Sequence, residues 1–160
     1  MKIYTLIHVV ISLLGILSGF VVLFGLLTAK RLDAWTALFL TTTVLTSVTG
    51  FFFPVHRILP SHIAGIISLV VLAVAIYARY ARGLNGVWRK VYVVGAVLAL
   101  YLNVFVAIVQ AFLKIPALKA MAPTQTEPAF KLTQLLVLAL FIVLAVVAAI
   151  KFTNKPAQIT

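Results

Sequence analysis

Cysteine is absent from all 160 residues. Disulfides, thiolate nucleophiles and iron–sulfur ligation are therefore excluded. Acid is almost as scarce, because Asp33 and Glu127 are the only two carboxylates in the chain. Both fall in polar connections, so no apolar run carries a carboxylate to relay protons across a membrane. That weighs against a proton-coupled carrier or pump. No Walker loop, Gly-x-Ser-x-Gly elbow, His-Glu-x-x-His pair or dinucleotide fingerprint occurs, so catalysis by a familiar constellation is not expected. Charged residues make up 9% of the chain, against about 25% in a soluble domain. No internal repeat is visible, and an odd number of apolar runs fits poorly with transporters built from paired halves.

What is present is hydrocarbon. The chain is 64% hydrophobic, with a mean hydropathy of +1.23, and its apolar runs are too long and continuous for a soluble core. The expected fold is an all-α integral membrane protein, a bundle of five transmembrane helices. They are expected over 3–27, 34–53, 61–80, 91–113 and 132–150, in a single domain 1–152 followed by a polar tail, 153–160. A cleaved signal peptide competes for the first run. Its apolar region should be about 7–15 residues and end in a small-residue cleavage site. This run is longer and Leu27-Thr28-Ala29 is a poor site, so it reads as a retained helix.

The 13 Lys and Arg give a net charge of +11. In a soluble chain that would suggest nucleic acid. Here the charges sit between apolar runs, where they fix topology and meet the anionic head groups of a lipid bilayer. No nucleic-acid partner is expected. With five spans, one side holds Lys2, Arg57, Lys114, Lys119 and Lys131. The other holds Lys30, Arg31, Arg79, Arg82, Arg89, Lys90, Lys151 and Lys155. The richer side is assigned to the cytoplasm, which puts the N-terminus outside and the C-terminus inside. Size and composition suggest a bacterial inner (plasma) membrane.

The chemistry concentrates in Thr41–His62, where a hydroxyl-rich helix runs into three phenylalanines and a turn bracketed by Pro54 and Pro60. Proline cannot continue helical bonding, so the chain should reverse there. His8, Ser12, Gly15 and Gly19 share a stripe of the first run, and small residues let helices approach closely in lipid. Thr42, Thr46 and Thr49 share a stripe of the second, as Asn103 and Gln110 do of the fourth. Gln134 starts the fifth. An amide in lipid needs a partner, so these side chains should point inward. Asp33 and Ser61 are candidate N-caps, and Ile115–Met121 is a candidate interfacial helix.

The span order draws His8, His56, His62 and every intramembrane amide toward one face. The structural reading is a hydrogen-bonded knot, with polar pairs each contributing roughly 0.6 and at most about 1.7 kcal/mol. The protein is then a non-catalytic subunit or scaffold packing against other membrane subunits or itself as a homo-oligomer. A second reading makes it a redox protein holding a b-type haem or a quinone. His8 and His62 are the preferred axial pair and His56 the alternative. A copper or zinc site is weakened by the lack of carboxylate or thiol support. A third reading is a small permease or channel lined by the threonines.

Overall fold

The computed structural model describes residues 2–54 and 58–152. His56 and Arg57, and the tail over 153–160, lie outside the described residues. Among those described there are only helices: α1 (Lys2–Leu27), α2 (Asp33–Gly50), α3 (Pro60–Ile76, ending in a π-helical turn over Tyr77–Ala81), α4 (Val87–Lys114), α5 (Pro116–Met121) and α6 (Pro128–Lys151). Four of them, α1, α3 with its π turn, α4 and α6, are long and apolar enough to cross a membrane. On that basis the chain is an integral membrane protein. α2 has 18 residues, but Asp33 and its threonines and serine make it less apolar than those four.

Proline sets three of the helix starts. Pro60, Pro116 and Pro128 each occupy the first turn of a helix, where the missing N–H would have no intrahelical partner anyway. Ser61 therefore lies inside α3 and caps nothing; the N-cap is Leu59. Asp33 is likewise the first residue of α2, not its cap. Its carboxylate pairs with Arg31 at 3.0 Å and with Arg79 from the end of α3. Arg79 is only 4% exposed and packs 5.2 Å from the centre of the Tyr92 ring, so one guanidinium ties α2, α3 and α4 together at this end. Ahead of α6, desolvation pushes the Glu127 carboxyl up. Hydrogen bonds from Thr124 Oγ1 and the Thr124 and Thr126 N–H groups outweigh it and hold it below its usual range.

α1 with α2, α2 with α3, α3 with α4 and α4 with α6 pack antiparallel, while α1 and α6 run parallel and meet at Phe20 and Phe141. Gly15 faces Thr42 and Thr43, Gly19 faces Phe39, and Gly25 faces Leu32, so α2 lies along the length of α1. Phe51 at the end of α2 meets His62 and Gly65 in α3. Gly95 in α4 abuts Ala75 in α3. Phe112–Phe130 and Tyr101–Phe141 pair α4 with α6. α4 is central, burying Tyr92, Val93, Ala96, Val97, Ala99 and Leu100. α6 is peripheral, with 11% of its apolar stretch buried, against 39% for α1 and for α4.

The two glycines of the α1 stripe are not equivalent. A methyl group on Gly19 would lie 2.6 Å from Leu100 Cδ1 and 2.9 Å from the Phe39 ring, and both neighbours are 1% exposed. On Gly15 the nearest atom is Thr42 Oγ1 at 3.3 Å. Overpacking a buried contact costs about 1–3 kcal/mol. Gly19→Ala is expected to lose that much in an unfolding titration in mixed micelles, and Gly15→Ala clearly less; equal losses would contradict the packing.

Candidate functional site

α1, α2, α3 and the C-terminal half of α4 enclose a cleft of about 620 Å³ at the end of the bundle opposite Arg79. Its walls are largely Val, Leu, Ile, Ala and Phe. Into them project His8 and Ser12 from α1, Thr46 and Ser47 from α2, His62 and Ser68 from α3, and Asn103, Gln110 and Lys114 from α4. A second hollow of about 660 Å³ lies between α4 and α6. Lys90 and Tyr101 are its polar lining residues, and none of its lining residues holds a buried polar atom without a partner. The cleft is different in this respect.

The structure brings together five of the residues singled out from the sequence: His8, His62, Thr46, Asn103 and Gln110 all line the cleft. Three others have different work. Thr42 Oγ1 donates to the Leu38 carbonyl at 2.7 Å and packs beside Gly15. Thr49 Oγ1 donates to the Leu45 carbonyl at 2.6 Å. Both are hydroxyls returned to the preceding turn, which makes them inexpensive in lipid. Gln134 lies in the α4–α6 seam, its Nε2 donating to the Phe105 carbonyl at 3.3 Å. A continuous threonine lining along α2 is therefore absent among the described residues, and Thr46 alone of the three turns to the cleft.

The histidine tautomers are assigned from the hydrogen-bond network. His8 Nδ1 is 2.8 Å from Thr49 Oγ1. The Thr49 proton is already given to Leu45, so His8 Nδ1–H must donate. Neutral His8 then carries a bare lone pair on Nε2. His62 is the reverse. The Leu59 N–H donates to His62 Nδ1 at 3.2 Å, closing the start of α3. Neutral His62 must carry its proton on Nε2, and that atom is buried with no partner among the described residues. Thr46 Oγ1 and Ser68 Oγ are likewise buried and without a partner among the described residues. A threonine or serine in a helix ordinarily returns its hydroxyl to the preceding turn; these two do not. Asn103 Nδ2 donates to Thr43 Oγ1 at 3.1 Å and crosses from α4 to α2 at the cleft floor.

Ser68 and Lys114 were not singled out from the sequence. Each carried a signal. His62, Gly65 and Ser68 recur at three-residue spacing, a narrow polar or small stripe on α3. Asn103, Gln110 and Lys114 recur at seven and four, one face of α4. A lone serine in an apolar run reads as packing until the neighbouring helix is known.

The donor set does not fit a bis-histidine haem. A neutral imidazole ligates iron through a bare nitrogen, with the other nitrogen donating to a second-shell acceptor. His8 meets that description. His62 does not, because its Nδ1 accepts a backbone N–H and its Nε2 holds the proton. No three His, Cys, Asp or Glu side chains among the described residues converge on a metal position. Protein produced with excess haem is expected to show no Soret band. A band present in the purified protein and removed by His62→Ala would contradict the tautomer assignment.

No family model, curated protein or solved structure matches this chain.

Proposed function

We propose that this chain is a non-catalytic integral membrane protein that holds a small amphipathic molecule in the α1–α4 cleft. One observation carries the reading: Thr46 Oγ1, His62 Nε2 and Ser68 Oγ are buried without partners among the described residues, and all three residues line the same cleft. Each unpaired buried polar group costs about 1–3 kcal/mol. Three together approach a sizeable part of the roughly 5–15 kcal/mol that holds a typical domain folded. A bound group that pairs with them as their side chains turn toward the cleft recovers that loss. The volume and mostly apolar walls also suit a small-molecule site, typically about 300–1,000 Å³ with a few placed polar groups. No carboxylate or thiol lines the cleft among the described residues, which supports binding over catalysis.

The same reading takes α2 as a fifth span. It runs beside α1 for its whole length, and 18 residues reach about 27 Å at 1.5 Å each. Its returned hydroxyls lower the cost of lipid exposure. Lys30, Arg31, Arg79, Arg82, Arg89, Lys90 and Lys151 gather at one end of the bundle, against Lys2, Lys114, Lys119 and Lys131 at the other. That asymmetry favours the first end as cytoplasmic, with the cleft toward the outer leaflet and the N-terminus outside. Association with other membrane subunits or a second copy would use α6, whose outward face is apolar from Leu132 to Ile150.

Ala107 is exposed on the cleft wall, so a bulky residue there fills the cleft without entering the core. Native mass spectrometry of protein purified in mild detergent should show an adduct of fixed mass, lost in Ala107→Trp. An adduct unchanged by Ala107→Trp, or none in either protein, counts against the proposal.

A further inference from the structure

We infer that the cleft takes a hydroquinone-type ring, the reduced and hydroxyl-bearing form, in preference to the oxidised quinone and to amphipathic anions. The inference rests on the amphipath reading above and names the head group.

The two histidines present opposite polarity. His8 Nε2 is a lone-pair acceptor, because its Nδ1–H is spent on Thr49. His62 Nε2–H is a donor, because its Nδ1 accepts from Leu59. They stand on different helices, α1 and α3, and on different rings of the lining. Phe53 meets His8 edge-on at 5.0 Å, and Phe51 lies 5.9 Å from His62. A ligand that satisfies both must donate at one place and accept at another. Thr46 and Ser68 add two hydroxyls that can do either.

Charge narrows the class. Lys114 is the one charged residue lining the cleft among those described, and it is exposed at the end of α4. The rest of the lining holds two imidazoles and no acid among the described residues. A carboxylate drawn inside would lose its hydration without a buried counter-ion and would face the His8 lone pair, an unfavourable exchange. A neutral head avoids both penalties. The aromatic neighbours of the histidines favour a flat ring over a linear head.

A hydroquinone carries two hydroxyls on opposite edges of such a ring. One can donate to His8 Nε2 while the other accepts from His62 Nε2–H. The oxidised quinone has carbonyls in both places. It can accept from His62, Thr46 and Ser68, but it leaves His8 Nε2 facing an acceptor. A ring that covers the His8 lone pair without offering it a donor loses about tenfold or more in affinity. Only binding is inferred; no electron or proton transfer is required of the protein.

The test is equilibrium dialysis of the full chain in lipid nanodiscs under argon. The probes are tetramethyl-hydroquinone, its quinone, dodecanol and dodecanoate, each corrected for uptake by empty nanodiscs. The hydroquinone is expected to bind about tenfold or more tighter than the quinone, and tighter than either dodecyl probe. His8→Phe should bring the two ring affinities together by weakening the hydroquinone alone, and Ser68→Ala should weaken both. The wild-type ratio decides the matter even if a variant does not fold. Equal ring affinities, tighter quinone, or dodecanoate bound more tightly than the hydroquinone overturns the inference. Dodecanol or dodecanoate bound, abolished by Ala107→Trp, with neither ring bound, sinks the ring assignment and leaves the amphipath cleft standing. No probe bound by wild-type protein sinks both.

Discussion

In hydrocarbon there is no water to pair a polar atom, so each one needs a partner inside the protein. Most of this structure is arranged around that requirement. Thr42, Ser47 and Thr49 return their hydroxyls to their own helix. Tyr4 reaches the Thr49 carbonyl at 2.5 Å and shares it with the Phe52 N–H at the helix end. Asn103 spans to Thr43, and Gln134 to the Phe105 carbonyl. At the far end, Arg79 has Asp33 and two tyrosine rings. Among the described residues the pairing is incomplete at Arg79 Nε, Tyr92 OH and Gln134 Oε1, and at Thr46 Oγ1, His62 Nε2 and Ser68 Oγ. The last three stand apart because their residues, on α2 and α3, line one cleft.

The pairing requirement also shapes the helix packing. α1 and α2 come close because Gly15, Gly19 and Gly25 remove side chains along their seam. Close approach brings His8 to Thr49 and commits the proton on Nδ1. The Pro60 start of α3 leaves the Leu59 N–H to be satisfied, and His62 satisfies it. Thus helix packing and a helix start, not the cleft itself, decide which nitrogen each histidine offers. The site's polarity is a by-product of how the helices are joined.

Much of the architecture was legible in the chain. Long apolar runs, proline breaks and basic connections marked out helices without any structure, and the short helix after Lys114 was visible in its flanking prolines. The gathering of His8, His62, Asn103 and Gln110 followed from span order alone. What could not be read depends on neighbours. Asp33 looked like a cap because its sequence context was local, whereas it pairs with Arg31 beside it and with Arg79, 46 residues away. Thr42, Thr46 and Thr49 looked alike on a helical stripe. Only the rotation of α2 against α1 separates Thr46, which faces the cleft, from the two that fold back. Gln134 looked equivalent to the other amides, but α6 packs on the far side of α4. The histidine tautomers were out of reach, since they rest on which backbone N–H or hydroxyl lies beside each ring.

The most direct measurement is nitrogen-15 solid-state NMR of imidazole-labelled protein in lipid bilayers near neutral pH. The three histidines are assigned with single His→Gln variants. The account predicts that neutral His8 carries its proton on Nδ1 and neutral His62 on Nε2. A His62 ring with a protonated Nδ1 and a bare Nε2, or a His8 ring of the opposite kind, would contradict it.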